Sequence, residues 1–201
     1  MTVLLVLIAA YLIGGIPFGY LIVRLTTGED VRAMGSGNIG ATNVLRTTGR
    51  AVAILTLLLD IAKGVLAVWL ADRLLNGSTT WMSAAALIVM LGHAFPIYLK
   101  FHGGKAVATF IGAFLYLTPL ALVATLLVFV IIVASTKFIS MGSIISAGLF
   151  PFAVFLIYHP AVEVLAASII AGAFIVWRHK ANIVRIRAGN ENVFSFRGVK
   201  R

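Results

Sequence analysis

Residues 106–134 read AVATFIGAFLYLTPLALVATLLVFVIIVA, an apolar stretch with Thr118-Pro119 near its middle. One membrane crossing needs about 20 apolar residues, so this stretch is long for one crossing and short for two. Proline ends or kinks a helix, and Pro119 is therefore a natural hinge between two short crossings. The way this stretch crosses decides the number of spans and the side on which the chain ends.

The chain as a whole has the composition of an integral membrane protein. It is 61% hydrophobic and 11% charged, with a mean hydropathy of +1.08, far outside the soluble range. No long linker or convincing repeat divides it. We predict one all-α membrane domain over residues 1–201, a bundle of seven transmembrane helices with spans near 3–23, 51–75, 81–99, 106–117, 120–134, 138–158 and 161–177.

The basic residues favour seven spans over six. With two crossings hinged at Pro119, one side receives every one of the 16 basic residues except Lys63, inside a span, and Arg73. With a single crossing, Lys137 and the basic tail move to the opposite side, and the charges divide almost evenly. Cytoplasmic loops carry an excess of Lys and Arg. We therefore predict an N-terminus outside and a C-terminus in the cytoplasm.

The formal charge of +10 does not indicate a nucleic-acid partner. The basic residues lie between apolar runs, without a basic stripe interleaved with exposed aromatic side chains. Anionic lipid heads and phosphorylated substrates are the expected partners. The chain has no cysteine, and no two histidines have metal-ligand spacing, so we expect no metal and no cofactor. A monomer is compatible with this organisation.

Four polar segments lie on the predicted cytoplasmic face, and the first is the string GSGNIGATNVLR at 35–46. Successive glycines allow close backbone approach, so their amides can form an anion-binding nest beside a helix that begins near Thr42. The same residue types also fit a loop that merely caps a helix. The candidate phosphate-binding residues are Gly35, Ser36, Gly37, Asn38, Gly40, Thr42, Asn43 and Arg46.

The second segment runs from GHAFP at 92–96 to GGK at 103–105. Gly103 and Gly104 can bring backbone amides to a phosphate, and Lys105 adds a compact cation. The alternative is a turn with an interfacial lysine. His93 lies three residues before Pro96, and a histidine in a membrane helix is a functional candidate or a structural hydrogen-bonding group.

The third segment is SMGS at 140–143, with Ser143 as its candidate, and the fourth begins at RHKAN, 178–182. His179 and Asn182 are three residues apart and share a helix face. The neighbouring basic residues are interpreted as lipid-headgroup charges. They are Arg178, Lys180, Arg185 and Arg187.

Asp60 and Lys63 share a face inside the second predicted span. Charges inside a membrane are costly, which makes the pair notable. We interpret it as a structural ion pair, with a part in catalysis as the alternative.

These strings, in this order, resemble the bacterial acyl-phosphate:glycerol-3-phosphate acyltransferase family over essentially the whole chain. The resemblance implies a seven-helix inner-membrane enzyme. Such an enzyme transfers a fatty acyl group from acyl-phosphate to the sn-1 hydroxyl of glycerol 3-phosphate, giving lysophosphatidic acid and phosphate, the first step of phospholipid synthesis. It implies neither acyl-CoA nor acyl carrier protein as donor. In agreement, no histidine here is followed five positions later by aspartate, the pattern of other glycerol-phosphate acyltransferases.

By motif, the resemblance implies that Ser36 and its glycines bind acyl-phosphate. Glycerol 3-phosphate and the transferring phosphate would be bound by Arg46, Lys105, Ser143, His179 and Asn182, with Glu191 in support. We predict Ser36, Lys105, His179 and Asn182 as catalytic. Two positions depart from the family pattern: His102 stands in place of Lys or Arg, and Ala106 in place of glycine. A small phosphate-ester transporter is the alternative function, although transporters usually bind near the membrane midplane.

Overall fold

The computed structural model describes residues 1–194, so the basic residues Arg197, Lys200 and Arg201 lie outside the described part of the chain. Ten α-helices occur in that part, together with two short 3₁₀ turns at Val31–Ala33 and Ile97–Leu99. The helices are α1 (Thr2–Gly15), α2 (Phe18–Thr27), α3 (Ala41–Thr47), α4 (Arg50–Leu74), α5 (Thr79–Ala94), α6 (Val107–Leu117), α7 (Pro119–Thr136), α8 (Ile139–Tyr158), α9 (Val162–Arg178) and α10 (Lys180–Arg187).

Five helical stretches are long and apolar enough to cross a membrane: Thr2–Thr27, Arg50–Leu74, Thr79–Leu99, Pro119–Thr136 and Ile139–Tyr158. A sixth is obtained if α9 and α10, bent by 55°, count as one span, and α6 is a shorter apolar helix. No strand occurs within residues 1–194. The prediction of an all-α integral membrane fold is confirmed.

The first apolar run contains two helices rather than one. Pro17 has no backbone N–H and its ring obstructs the preceding turn, so α1 ends before it and α2 begins at Phe18. The break leaves the Ile16 carbonyl outside the regular helical ladder, where the Phe18 amide donates to it over 3.1 Å. The chain then leaves α2 toward the glycine-rich loop.

Glycines allow the helices to pack backbone against backbone. Gly14 and Gly92 join α1 to α5, Gly64 and Gly112 join α4 to α6, and Gly172 joins α9 to α8. A Cβ added at any of them would overlap a carbonyl of the partner helix. Small residues hold membrane helices together in this way, because lipid tails remove the hydrophobic drive for helix association.

An aromatic cluster fills the centre of the bundle. The rings of Phe110, Phe114 and Phe150 meet with centroid separations of 4.8 to 4.9 Å. Large aliphatic side chains instead cover the outside; Leu127 and Leu156, for example, are more than 60% exposed. An apolar exterior is expected of a protein surrounded by lipid.

Candidate active site

Asn43 organises the glycine-rich loop from inside. It lies on α3, is 2% exposed, and its Nδ2 donates to the carbonyls of Val31, Met34 and Asn38 over 2.9 to 3.2 Å. Its Oδ1 accepts from the Ser36 amide at 2.7 Å. The carboxamide is therefore fully occupied within the protein, and it holds the loop in one conformation.

Three backbone amides of this loop donate to other groups of the protein. The Ser36 amide donates to Asn43, the Gly37 amide to the Met34 carbonyl, and the Gly40 amide to Asn38 Oδ1. These three amides are paired within the protein, and an anion-binding nest in this loop remains a prediction. Gly35 and Gly37 have φ of +55° and +69°, which makes glycine the favoured residue at both turns. The loop leaves the Ser36 side chain exposed.

Arg46 reaches the site from the last turn of α3, while Thr42 lies in the first turn of that helix. Arg46 is half-buried. Burial lowers its pKa, the Glu191 carboxylate opposes that effect, and Arg185 adds to it. A guanidinium stays charged throughout the physiological range, so Arg46 is a permanent cation close to the C-terminal segment.

Gly103 and Gly104 are held from both sides. Their amides donate to the carbonyls of Ala94 and His93, at 3.2 and 3.1 Å. Their carbonyls accept from the Arg178 guanidinium at 2.7 to 3.2 Å. Both amides are thus paired within the protein, and a phosphate contact of this glycine pair remains a prediction. The interpretation of Arg178 as a lipid-headgroup charge is wrong, because its guanidinium binds these two carbonyls. The glycine pair fixes the position from which Lys105 extends.

Lys105 stands at the head of a hydrogen-bonded chain through the C-terminal segment. Its Nζ donates to Asn182 Oδ1 at 2.6 Å, and Asn182 Nδ2 donates to Glu191 Oε1 at 2.8 Å. Ser140 Oγ donates to the same Glu191 oxygen at 3.2 Å, and Arg185 Nε donates to the other at 2.9 Å. Three predicted residues, Lys105, Asn182 and Glu191, thus come together from the loop before α6, from α10 and from the segment beyond α10.

The electrostatics of this cluster are those of an anion site. Burial lowers the pKa of Lys105 to about 8; Glu191 counteracts this, and the cations Arg185, Arg46 and Arg178 reinforce it. Burial by itself would raise the pKa of Glu191, but the Asn182 and Arg185 hydrogen bonds outweigh burial and hold that pKa below its ordinary value. Lys105, Arg46 and Arg185 therefore interact with one ionised carboxylate, and the cluster carries an excess of positive charge.

His179 lies at the break between α9 and α10 and is 3% exposed. Its Nδ1 is 2.8 Å from the Ile175 carbonyl, which requires the proton on Nδ1 and leaves Nε2 as an acceptor. Burial and the nearby Lys105 lower the pKa of His179 to about 4. The imidazole is neutral at pH 7 and a weak base.

Two further predicted residues, Ser143 and His93, make their contacts outside this cluster. Ser143 is buried on α8 and its hydroxyl donates to the Ile139 carbonyl of its own helix at 3.0 Å. His93, 4% exposed, lies beneath the glycine pair and faces Asp60 in the bundle interior. Their predicted contacts with substrate remain predictions.

Ala106, one of the two departures from the family pattern, has a backbone conformation that favours glycine. It precedes α6 with φ of +62°, a conformation that costs an alanine about 1–2 kcal/mol and a glycine little. A glycine at this position would relieve that cost. The alanine methyl is accommodated, since the residue is 1% exposed and packs in the core.

Three residues of this cluster were missed by sequence reasoning. The sequence analysis names Ser143 and not Ser140 as the candidate serine, and it interprets Arg178 and Arg185 as lipid-headgroup charges. The spacing of Arg185 from Glu191 is a weak signal, and the partners of Arg178 lie more than 70 residues away in sequence. Only the packing of the helices brings them together.

The chain is similar to proteins of a known family. The family model described as glycerol-3-phosphate acyltransferase matches residues 4–189. A glycerol-3-phosphate acyltransferase from Geotalea daltonii is 43% identical over 191 residues, covering 95% of this chain and 97% of the relative. One of the same name from Geobacter sulfurreducens is 44% identical over 189 residues, covering 92% of this chain and 94% of the relative.

The fold matches solved structures of PlsY (YgiH), described as an integral membrane glycerol 3-phosphate acyltransferase. Its glycerol 3-phosphate form superposes with a TM-score of 0.91 and 35% identity, covering 97% of this chain and 96% of that one. Its lysophosphatidic acid form gives 0.89 and 34%, covering 98% and 97%. The resemblance deduced from the motifs is confirmed: the chain belongs to the glycerol-3-phosphate acyltransferase family and is a multi-pass membrane acyltransferase.

Proposed function

We propose that the enzyme takes its acyl group from acyl-phosphate and transfers it to the sn-1 hydroxyl of glycerol 3-phosphate, releasing lysophosphatidic acid and phosphate. The observation that carries this proposal is the excess of cations around Glu191, with Lys105 and Arg46 among them. Both substrates are phosphate esters or anhydrides of low molecular weight. An acyl-phosphate is already activated, so the protein mainly has to position the hydroxyl and stabilise developing charge.

We assign Arg46 and Lys105 to the phosphates, with Asn182 orienting the Lys105 ammonium through their 2.6 Å hydrogen bond. Ser36 would orient or bind the donor from its exposed loop, and His179 would accept a hydrogen bond at Nε2. Glu191 supports the others by holding Asn182.

The chemical step would be direct. The sn-1 oxygen bonds to the acyl carbon, the bond from that carbon to the phosphate oxygen breaks, and the hydroxyl proton passes to the departing phosphate. The low pKa of His179, about 4, makes it a poor general base and favours the phosphate as proton acceptor. An acyl-Ser36 intermediate is the competing route. Labelled acyl-enzyme trapped without glycerol 3-phosphate would refute direct attack.

We propose that the acyl chain lies in the apolar groove between α8 and α9. The groove has a volume of about 770 Å³ and is lined by Pro151, Phe155, Gly172 and Trp177, among others. Trp177 adjoins His179 through one residue, so the groove ends beside the polar cluster. Gly148 also lines it and has open space at its Cβ.

A larger side chain at Gly148 should therefore shorten the preferred acyl chain. We expect Gly148→Phe to favour short-chain acyl-phosphates over palmitoyl-phosphate, relative to the unchanged enzyme. Leu156→Phe is the matched control, because Leu156 is 69% exposed on the same helix and does not line the groove. An unchanged chain-length profile in Gly148→Phe would refute this placement.

We further propose the topology deduced from the charges: one domain over residues 1–201, seven crossings, an outside N-terminus and an active site on the cytoplasmic face of the inner membrane. This arrangement counts the shorter apolar helix α6 as one crossing and α7 as the next. The site draws its described residues from one chain, so a monomer suffices. Labelling of single cysteines introduced at Gly77 and Lys137, in a chain without native cysteine, tests the two sides.

The activity itself is tested with purified protein, acyl-phosphate and labelled glycerol 3-phosphate. We expect lysophosphatidic acid from the unchanged enzyme and its loss in Lys105→Ala. Lys137→Ala is the matched control, since Lys137 is an interfacial lysine whose Nζ bonds to the Ala134 carbonyl of its own helix. Undiminished turnover in Lys105→Ala would refute the assignment of Lys105.

A further inference from the structure

A cluster of three ionisable residues lies in the bundle interior. Asp60 and Lys63 are on α4 and His93 is on α5; they are 2%, 3% and 4% exposed. Lys63 Nζ lies 2.7 Å from Asp60 Oδ1, and His93 Nδ1 lies 3.6 Å from the same oxygen. The second distance is longer than a hydrogen bond, so His93 is held by packing.

The cluster contacts the Lys105 loop through His93. The imidazole Nε2 faces Gly104 so closely that a Cβ there would overlap it. The Gly104 amide also donates to the His93 carbonyl at 3.1 Å, and a Cβ at Gly103 would overlap that carbonyl. The position of His93 therefore determines the position of Gly103 and Gly104, from which Lys105 extends.

The cluster also contacts the start of the Ser36 loop through Lys63. Its Nζ donates to the Ile16 carbonyl at 2.9 Å, at the break before Pro17, and lies 5.6 Å from the centre of the Phe18 ring. Phe18 begins α2, which leads into the loop. Gly19 packs against the Ile39 carbonyl so tightly that a Cβ would overlap it.

We propose that Asp60, Lys63 and His93 are positioning residues that set the Lys105 loop against the Ser36 loop and so determine the affinity for glycerol 3-phosphate. The inference rests on the proposed function, in which Lys105 binds phosphate. Stability alone does not require such a cluster, because well-packed apolar residues commonly replace a buried ion pair at no cost. Its geometric effect is distinct: one set of contacts fixes two loops that are far apart in sequence.

The test is a comparison of KM values in His93→Ala. We expect the KM for glycerol 3-phosphate to rise between about 10- and 100-fold, as displacements near 1 Å can produce, while the KM for acyl-phosphate changes little. Asp72→Asn is the matched control, on the helix that carries Asp60 and Lys63. Asp72 accepts a hydrogen bond from Tyr116 at 2.6 Å and lies about 18 Å from Asp60 along α4. We expect its KM values to remain unchanged.

A double-variant cycle separates positioning from general stability. The overlap that Gly104→Ala creates is with the His93 ring, so its effect on KM should be smaller in a His93→Ala background than alone. Equal effects in both backgrounds would overturn the proposal, as would a lower folded fraction with unchanged KM values. If His93→Ala does not fold, Asp60→Asn/Lys63→Met, which keeps the charge balanced, is judged by the same KM criterion. Activity in Lys105→Ala would instead refute the proposed function.

Discussion

The lowered pKa of Lys105 predicts an alkaline limit to glycerol 3-phosphate binding. Burial is the main cause of the shift from the ordinary value of 10.5 to about 8, and Glu191 only partly offsets it. The group binds phosphate as an ammonium. Raising the pH through this pKa removes its charge, so affinity for the substrate is present below pH 8 and is lost above it.

The size of the effect follows from the titration. A lysine with a pKa of about 8 is roughly 90% charged at pH 7 and roughly 10% charged at pH 9. The substrate phosphate, with a second pKa of about 6, is a dianion over this whole interval. We therefore expect kcat/KM for glycerol 3-phosphate to fall about tenfold per pH unit above pH 9. Bound phosphate stabilises the ammonium, so kcat should fall at a higher pH than kcat/KM does.

The assay is a set of initial rates at varied glycerol 3-phosphate and saturating acyl-phosphate between pH 6.5 and 10, corrected for donor hydrolysis. Lys105→Arg is the informative variant, because a guanidinium does not titrate in this range. Its lower activity should lack the alkaline limb. An identical limb in Lys105→Arg, or a flat profile in the unchanged enzyme, would refute the reasoning.

Three other predictions concern Glu191, Asn43 and Gly112. Glu191→Gln removes a charge that raises the pKa of Lys105, so the alkaline limb should move to lower pH; a move to higher pH would contradict the assignment. Asn43→Ala strands a buried amide and three carbonyls and should lower the unfolding free energy by about 2 kcal/mol or more, seen as a lower Tm in detergent. Gly112→Ala should cost about 1–3 kcal/mol through overlap with α4. Gly148→Ala, with open space at its Cβ, should not lower the Tm, and equal losses in both would exclude close packing as the cause.

The membrane fold could be predicted because it depends on properties that each segment carries by itself. A run of apolar residues long enough to cross lipid forms a helix whatever its neighbours are, since its backbone groups have no other partners there. The break at Pro17 was missed because the run from Val3 to Val23 is apolar on both sides of the proline and, taken whole, is long enough for one crossing. Length predicts a crossing, and only the proline geometry reveals two helices.

The site could be predicted only as far as residue type allows. Lys105, Asn182 and Glu191 meet as expected, because segments on one face of a small bundle have little room to separate. The choice between Ser140 and Ser143 could not be made, since both lie within one turn of α8. It depends on where Glu191 reaches that helix, a contact across more than 50 residues of sequence.

The glycine-rich strings have a different role from the one their composition suggests. A loop of Gly, Ser and Asn looks like a display of amides for phosphate, yet the amides of Ser36, Gly37, Gly40, Gly103 and Gly104 all donate within the protein. What the glycines provide is tight turning and close approach to buried groups, which leaves the loops rigid. We therefore propose that side chains, Lys105 and Arg46 among them, recognise the negative charge. Because a preorganised cation stabilises developing charge without reorganising, the contacts that hold the glycine pair in place would contribute to catalysis through the proposed role of Lys105.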